Sequence, residues 1–420
     1  MRNEKGNKSK KTGKRGAAAL IAAVMVLALA LSGCSAQKTT AGFAGGNGTA
    51  DDPYQIATAE QLERVRNELT ASYVLTADID LVGIENWTSI GDVKLSATDP
   101  ETGEVDFSTA FSGTFDGGGY TISNLNCTAA DDSIAAGLFG CMTGTVTNLT
   151  MENAVVIGSE TNMAIGGVMG YGMGTVTDIT LKGDNTITGI NCVGGIVGGN
   201  QGRVDGCTVE NADIVVIGDN DFTGGLIQCD IAECGGLVVG GSFMGTVDNC
   251  TANGTVTATG NEPVGLGGIA GCIQCAPSIT GNTVTVRINA GNGHAIGGLC
   301  GYAGMGDDGD GTIDPPCSIT DCTVNVTVNA NGATHVGGLV GTGLYYYGME
   351  DRFTVENCSV TGAINGAVTP GTVAGRAVGS EIISCKTNVK IDGKQSESQI
   401  GTTDRMYQGG DQYSDGGSNV

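Results

Sequence analysis

The chain has 420 residues, 73 of them glycine and only 7 proline, with 44 acidic against 20 basic side chains and a formal net charge of −24 at pH 7. Glycine without a Gly-X-Y period excludes collagen, and so acidic a body repels nucleic acid and anionic lipid surfaces, which closes basic-patch functions. Aromatic residues at 5% are few for a globular enzyme and fit a thin core of Val, Ile, Leu, Ala and Cys.

The first 34 residues read as an address. Arg2, Lys5, Lys8, Lys10, Lys11, Lys14 and Arg15 form a basic stretch, Ala17 to Leu31 an apolar run, and Leu31-Ser-Gly-Cys34 looks like a bacterial lipobox. The apolar run is short for a membrane span, so the expectation is a lipoprotein signal over residues 1–34 with lipidation at Cys34. That places the body at the cell membrane, on the extracytoplasmic face. Loss of the leader leaves 13 basic against 43 acidic residues. Residues 35–47 are small and polar and read as a flexible tether.

Residues 48–135 read as an N-terminal cap and the first rungs of a stacked fold. Thr58 and Gln61 form a capping box, and Leu62, Val65 and Leu69 lie on one face of a helix expected to cover the open end. The polar stretch 93–109, with Asp99-Pro100, reads as an exposed excursion.

From 136 to 390 one phrase returns about every 30 residues. It stands as Gly137-Leu-Phe-Gly140, Gly166-Gly-Val-Met-Gly170, Gly194-Gly-Ile-Val-Gly198, Gly224-Gly-Leu-Ile, Gly235-Gly-Leu-Val, Gly267-Gly-Ile-Ala-Gly271, Gly297-Gly-Leu-Cys-Gly301, Gly337-Gly-Leu-Val-Gly341 and Gly371-Thr-Val-Ala-Gly375. A second phrase follows each, and its key column holds Leu149, Ile179, Cys207, Cys250, Asn282, Cys322, Cys358 and Cys385. The column before it holds Asn, Asp, Gly or Ser, the residues of a bend, so the key column is read as pointing inward. Beyond the bend, Cys322, Val324, Val326 and Val328 alternate with Thr323, Asn325, Thr327 and Asn329, the pattern of a half-buried strand. The expected fold class is all-β: a parallel β-helix solenoid, right-handed by the usual crossover rule, with a short capping helix. The double glycine marks a corner, either because side chains would clash there or because φ is positive; which of the next two residues points inward stays open. Residues 391–420 read as a polar C-terminal tail.

The Gly-Gly-Leu-Val-Gly phrase, with Asp52-Pro-Tyr-Gln-Ile, Asp78-Ile-Asp-Leu and Phe115-Asp-Gly-Gly-Gly-Tyr, resembles GLUG-motif repeat proteins of bacterial surfaces. The same repeats occur in immunoglobulin A-specific metallopeptidases, whose zinc chemistry needs His-Glu-x-x-His. The chain has only His294 and His335, neither in that motif, so the resemblance extends to the fold and not to the peptidase activity.

Among the remaining cysteines, Cys229 with Cys234, Cys272 with Cys275, and Cys300 with Cys317 bracket corner loops and are candidate disulfide staples in an exported protein, with reduced thiols, or a redox or metal role for Cys272-Ile-Gln-Cys275, as the alternatives. The column cysteines are expected to be buried thiols. Three insertions, 228–234, 302–316 and 343–353, follow the glycine phrase and are expected to project from one edge. That rim carries Tyr302 and the run Tyr345, Tyr346 and Tyr347, candidate ligand-binding residues, with a partly buried lid as the alternative. It also carries Asp308, Asp310 and Asp314, spaced like the core of a calcium loop but lacking the first and twelfth ligands. No other cofactor is indicated.

No nucleophile, base and acid set shares a column. The functional expectation is therefore a lipid-anchored surface protein with an adhesive or ligand-binding role, for a glycan or a protein, and without catalysis. The competing expectations are a β-helical polysaccharide lyase or hydrolase, and a passive envelope spacer.

Overall fold

In the computed structural model, residues 42–98, 105–218, 233–260, 264–274, 279–304, 317–344 and 353–403 are described. Residues 43–403 among them wind into a parallel β-helix. Its strands form sheets of twenty, seven, nine and four strands, each stacked rung upon rung. Thr175–Lys182 lies beside Thr145–Glu152 with Val176 opposite Val146 and Leu181 opposite Met151. Thr323–Ala330 lies between Thr283–Gly291 and Ser359–Asn365 in the same fashion. One pairing between strands is antiparallel among the described residues, Lys386–Ile391 with Lys394–Gln395.

The bends are where the sequence pattern puts them. Asn148, Asp178, Asn249, Asp321, Asn357 and Ser384 all have φ between 54° and 56°, and Gly206 and Gly281 take φ of 65° and 70° in the same column. These residue types tolerate the left-handed conformation, which turns the chain sharply enough for the next residue to face the interior. That next residue, from Leu149 through Cys358, is buried on every rung, and Cys385 on the last is half-buried. Each fully buried Val, Ile or Leu contributes about 1.5–3 kcal/mol of transfer free energy, so a long thin coil accumulates stability by repetition.

The glycine phrase has a steric cause. The seven-stranded and nine-stranded sheets meet so closely that a Cβ on Gly198 would lie 2.5 Å from the backbone nitrogen of Ile165, and one on Gly341 would lie 2.2 Å from that of Ile296. Both glycines have negative or extended φ, so clearance rather than a left-handed backbone selects them. The apolar pair between the glycines faces inward as a unit: Ile196 and Val197, and likewise Leu339 and Val340, are wholly buried in the main core. The bend resets the strand alternation, which answers the question the pattern left open.

The N-terminal end is closed. At the first strand, Tyr54–Ile56, the Ala44 N–H donates to the Gln55 carbonyl at 2.8 Å and the Gln55 N–H to the Gly45 carbonyl at 2.9 Å. This antiparallel segment covers the edge that would otherwise template pairing with other chains. The helix Ala59–Glu63, continued by a 3-10 turn Arg64–Asn67, buries Leu62 and Val65 in the core. Thr58 accepts the Gln61 N–H at 3.3 Å, while the Gln61 side chain accepts from Ala57, one residue before the position a capping box prescribes. Phe43 stacks on Tyr54 with ring centroids 4.5 Å apart, and Tyr54 leans tilted on Tyr73 at 5.7 Å.

Two sequence expectations are corrected. The coil does not end at 390: Ile400–Thr402 pairs with Ala374–Val378 and extends the nine-stranded sheet. The insertions do not share one corner either. Segments 305–316 and 345–352 both leave strands of the nine-stranded sheet and return to the four-stranded one, whereas 219–232 joins Asp213–Gly218 to Gly235–Gly236 at a different corner. The rung there is built by Gly235-Gly-Leu-Val, and the similar phrase at Gly224 lies outside the described residues.

Candidate functional site

The long sheet places one set of side chains in register over five rungs. Thr251–Gly260, Thr283–Gly291, Thr323–Ala330, Ser359–Asn365 and Lys386–Ile391 lie side by side. Their inward residues, such as Val284, Ile288, Val324, Val328 and Val360, are buried, so period-two geometry turns the alternate set outward. Outward columns run Thr283, Thr323, Ser359, Lys386; Thr285, Asn325, Thr361, Asn388; and Asn289, Asn329, Asn365. Rungs are about 4.8 Å apart and outward residues about 6.6 Å apart along each strand, so the face is a regular grid of hydroxyls and amides.

The grid is internally braced. Asn329 Nδ2 donates to Asn289 Oδ1 at 3.0 Å, and Asn289 Nδ2 to Thr257 Oγ1 at 3.2 Å. Thr361 Oγ1 donates to Asn325 Oδ1 at 3.4 Å. Such ladders fix rotamers before a ligand arrives and reduce the ordering cost of binding. The five strands contain no Asp or Glu and carry the cations Arg287, Lys386 and Lys390. In a chain of net charge −24 this face stands apart from the rest. Sequence reasoning identified Thr323, Asn325, Thr327 and Asn329 as an outward set but not the grid, because alternation within one strand does not say what stands beside it.

The carboxylates sit on other strands and turns, with Asp213 on the rung before the grid, opposite Thr255. Asp205 accepts from Asn249 at 2.8 Å and pairs with Arg203 at 2.8 Å. Burial, aided by the nearby Asp205 charge, raises the pKa of Asp248 although the Thr280 N–H bonds to it. His294 stands in register with Thr334, next to His335, whose pKa is pushed down to about 4 by burial and by the charges of Arg376 and His294.

The candidate residues fall in three groups. Tyr302 lies on the strand Cys300–Gly304, half-buried, with Cys272 and Thr342 on the neighbouring rungs, and packs against a second small apolar cluster. Cys234, Cys272, Cys300 and Cys317 are buried, and no two of the described cysteines are joined in this structure. Cys300 Sγ donates to the Tyr302 carbonyl at 3.0 Å, and burial pushes the Cys317 thiol up to about 12. Cys34, Cys229, Cys275, Asp308, Asp310, Asp314, Tyr345, Tyr346 and Tyr347 lie outside the described residues.

The column thiols have a defined place. Cys250, Cys322 and Cys358 each donate to the carbonyl two residues earlier at 3.2 Å, so a thiol occupies the interior and adds a second bond to a backbone oxygen that already accepts an N–H from the rung before, as Asp248 does from Gly206. The hydrogen bond with Cys207, together with burial, raises the Cys250 pKa, which keeps that thiol protonated and unreactive.

The GLUG motif model matches the chain at residues 189–215, 292–329 and 332–365. The chain is similar to halomucin of Haloquadratum walsbyi, 39% identical over 159 residues, which covers 36% of this chain and 2% of halomucin. It is also similar to a protein of Evansella cellulosilytica described as a candidate Gly-rich membrane protein, 30% identical over 155 residues, 35% of this chain and 16% of that one. The chain therefore spans only a small part of the length of the curated relatives it matches. Among solved structures, a candidate immunoglobulin A1 protease from Bacteroides ovatus aligns over 86% of this chain and 84% of its own, with 21% identity and a TM-score of 0.41. The β-helix described above is thus built, over those three stretches, from GLUG repeats.

Proposed function

We propose that the chain is a surface-displayed, lipid-anchored β-helical protein that binds an extended glycan on the threonine and asparagine grid, without catalysis. The observation that carries this reading is the grid itself: five rungs of in-register hydroxyls and amides, free of carboxylates, on a chain that is otherwise strongly acidic. Hydroxyls and amides donate and accept at once, which suits the hydroxyls of a sugar polymer. The cations Arg287, Lys386 and Lys390 extend the match to acidic sugars, whose charge the remaining surface repels.

Display at the surface draws on the lipobox at Cys34 and on the membrane naming of the Evansella cellulosilytica relative. A glycan and protein array probed with the soluble 36–420 fragment tests the reading. The expected result is retention on neutral or acidic polysaccharides that is lost on altering the grid. Binding only to proteins, or to nothing, overturns the glycan assignment, and release of oligosaccharide products from any polymer overturns the absence of catalysis.

A further inference from the structure

The second apolar cluster is formed where the outer sides of the seven-stranded and nine-stranded sheets meet. It contains Cys141, Tyr171, Cys192, Cys234 and Cys272. Within it Cys234 Sγ lies 3.4 Å from Cys192 Sγ, both residues buried, on rungs adjacent in space but far apart in sequence. The backbones are locked in register beside them: the Val193 N–H donates to the Cys234 carbonyl at 2.8 Å, and Val193 and Gly194 pair with Gly235 and Gly236. Parallel neighbours on a sheet are about 4.8 Å apart, inside the Cα separation that a disulfide requires.

The surrounding residues make room for this sulfur pair. The facing column of the nine-stranded sheet reads Cys141, Tyr171, Gly199, Gly241, Cys272 and Tyr302 through the rungs. It drops to glycine on the two rungs that carry Cys192 and Cys234. A Cβ on Gly241 would sit 2.8 Å from Cys192 Sγ and 3.3 Å from Cys234 Sγ, so a larger residue would occupy the space the two sulfurs fill.

We propose that Cys192 and Cys234 form a cross-rung disulfide, in place of the loop staple between Cys229 and Cys234. The oxidant is a disulfide of low molecular weight or of an exchange protein. One cysteine, as its thiolate, attacks that disulfide and displaces one thiolate, forming a mixed disulfide; the second cysteine thiolate then attacks the mixed disulfide and displaces the other. Two cysteine protons are released, and the oxidant leaves as two reduced sulfur groups. The bond ties the rung at 192 to the rung at 234 and so closes the base of the intervening segment 193–233.

The test is peptide mapping of the full chain refolded in reduced and oxidised glutathione, with the folded fraction selected by its β circular dichroism and its remaining thiols alkylated. If refolding yields no folded fraction, natively purified chain held with oxidised glutathione replaces it. Trypsin with a glutamate-specific protease cuts at Lys182, Arg203, Glu210, Glu233 and Arg287, the Glu262–Pro263 bond being resistant, and places Cys192, Cys229 and Cys234 on three different peptides. The expected result is a peptide pair joined between Cys192 and Cys234, about 2 Da lighter than the sum of its reduced parts, with fragmentation placing the link at Cys234 rather than Cys250, Cys272 or Cys275. In a Cys192→Ser chain, Cys234 should be recovered alkylated. A link from Cys234 to Cys229, or alkylation of both Cys192 and Cys234 in the unsubstituted chain, overturns the proposal.

Discussion

Asn282 reaches back across one rung to Cys250: its Oδ1 accepts the Cys250 N–H at 2.8 Å, and its Nδ2 donates to the carbonyl of Val247 at 2.9 Å and of Thr280 at 3.3 Å. It occupies the column that holds cysteine on the rungs before and after. The bond to Thr280 repeats what each column thiol does, since Thr280 lies two residues earlier, and the other two are additional. Asn282→Ala leaves a buried N–H and buried carbonyls without these partners and is expected to cost about 2–4 kcal/mol. Asn282→Cys restores the Thr280 contact and should cost less. Urea midpoints measure both, and an Ala variant as stable as the parent would remove this account of the column.

Gly198→Ala drives a methyl group against the backbone nitrogen of Ile165, which cannot move as a flexible side chain could. Overpacking of this kind costs about 1–3 kcal/mol or more. A thermal unfolding midpoint unchanged by the substitution would show that the two sheets separate easily.

His335 should make stability depend on pH in a defined window. Its folded pKa is lowered to about 4, so between there and the ordinary value of 6.5 the unfolded chain binds the proton and the folded chain does not. The stabilisation is present above the unfolded value and is lost as pH falls towards 4. Because the ring is only partly buried, solvent screening reduces the effect to the order of 1 kcal/mol or less. His335→Asn, which tolerates the local φ of 51°, should flatten the difference between pH 6.5 and 4.5. Equal slopes for the two chains would refute the assignment.

Glutamate at Thr285, Asn325 and Thr361 together places three carboxylates along one column of the grid. The expected outcome is at least a tenfold loss of glycan affinity, about 1.4 kcal/mol, with the far-ultraviolet circular dichroism unchanged. Undiminished binding would move the site off this face.

Cys34→Ala is expected to transfer the full chain from the membrane to the soluble fraction on cell fractionation. Continued membrane retention would remove lipid anchoring from the functional reading.

Much of this fold is legible in the chain. The thirty-residue spacing, the bend column from Asn148 to Ser384 and the inward column after it follow from local chemistry, because a left-handed bend admits few residue types. The double glycine was legible as a corner, but its cause was not: the methyl group that Gly198 lacks would meet Ile165, more than thirty residues away.

What the sequence determined by itself is everything with a short period: strand alternation, the position of bends, the repeat and the candidate leader. The tertiary structure decided what stands beside what. It placed Thr285 next to Asn325, Cys192 next to Cys234, and Gly235 in the stacked rung beside Val193. Those choices depend on register between rungs, and register is settled by the packing of the whole interior, since a slip of one residue would turn every buried valine out to water.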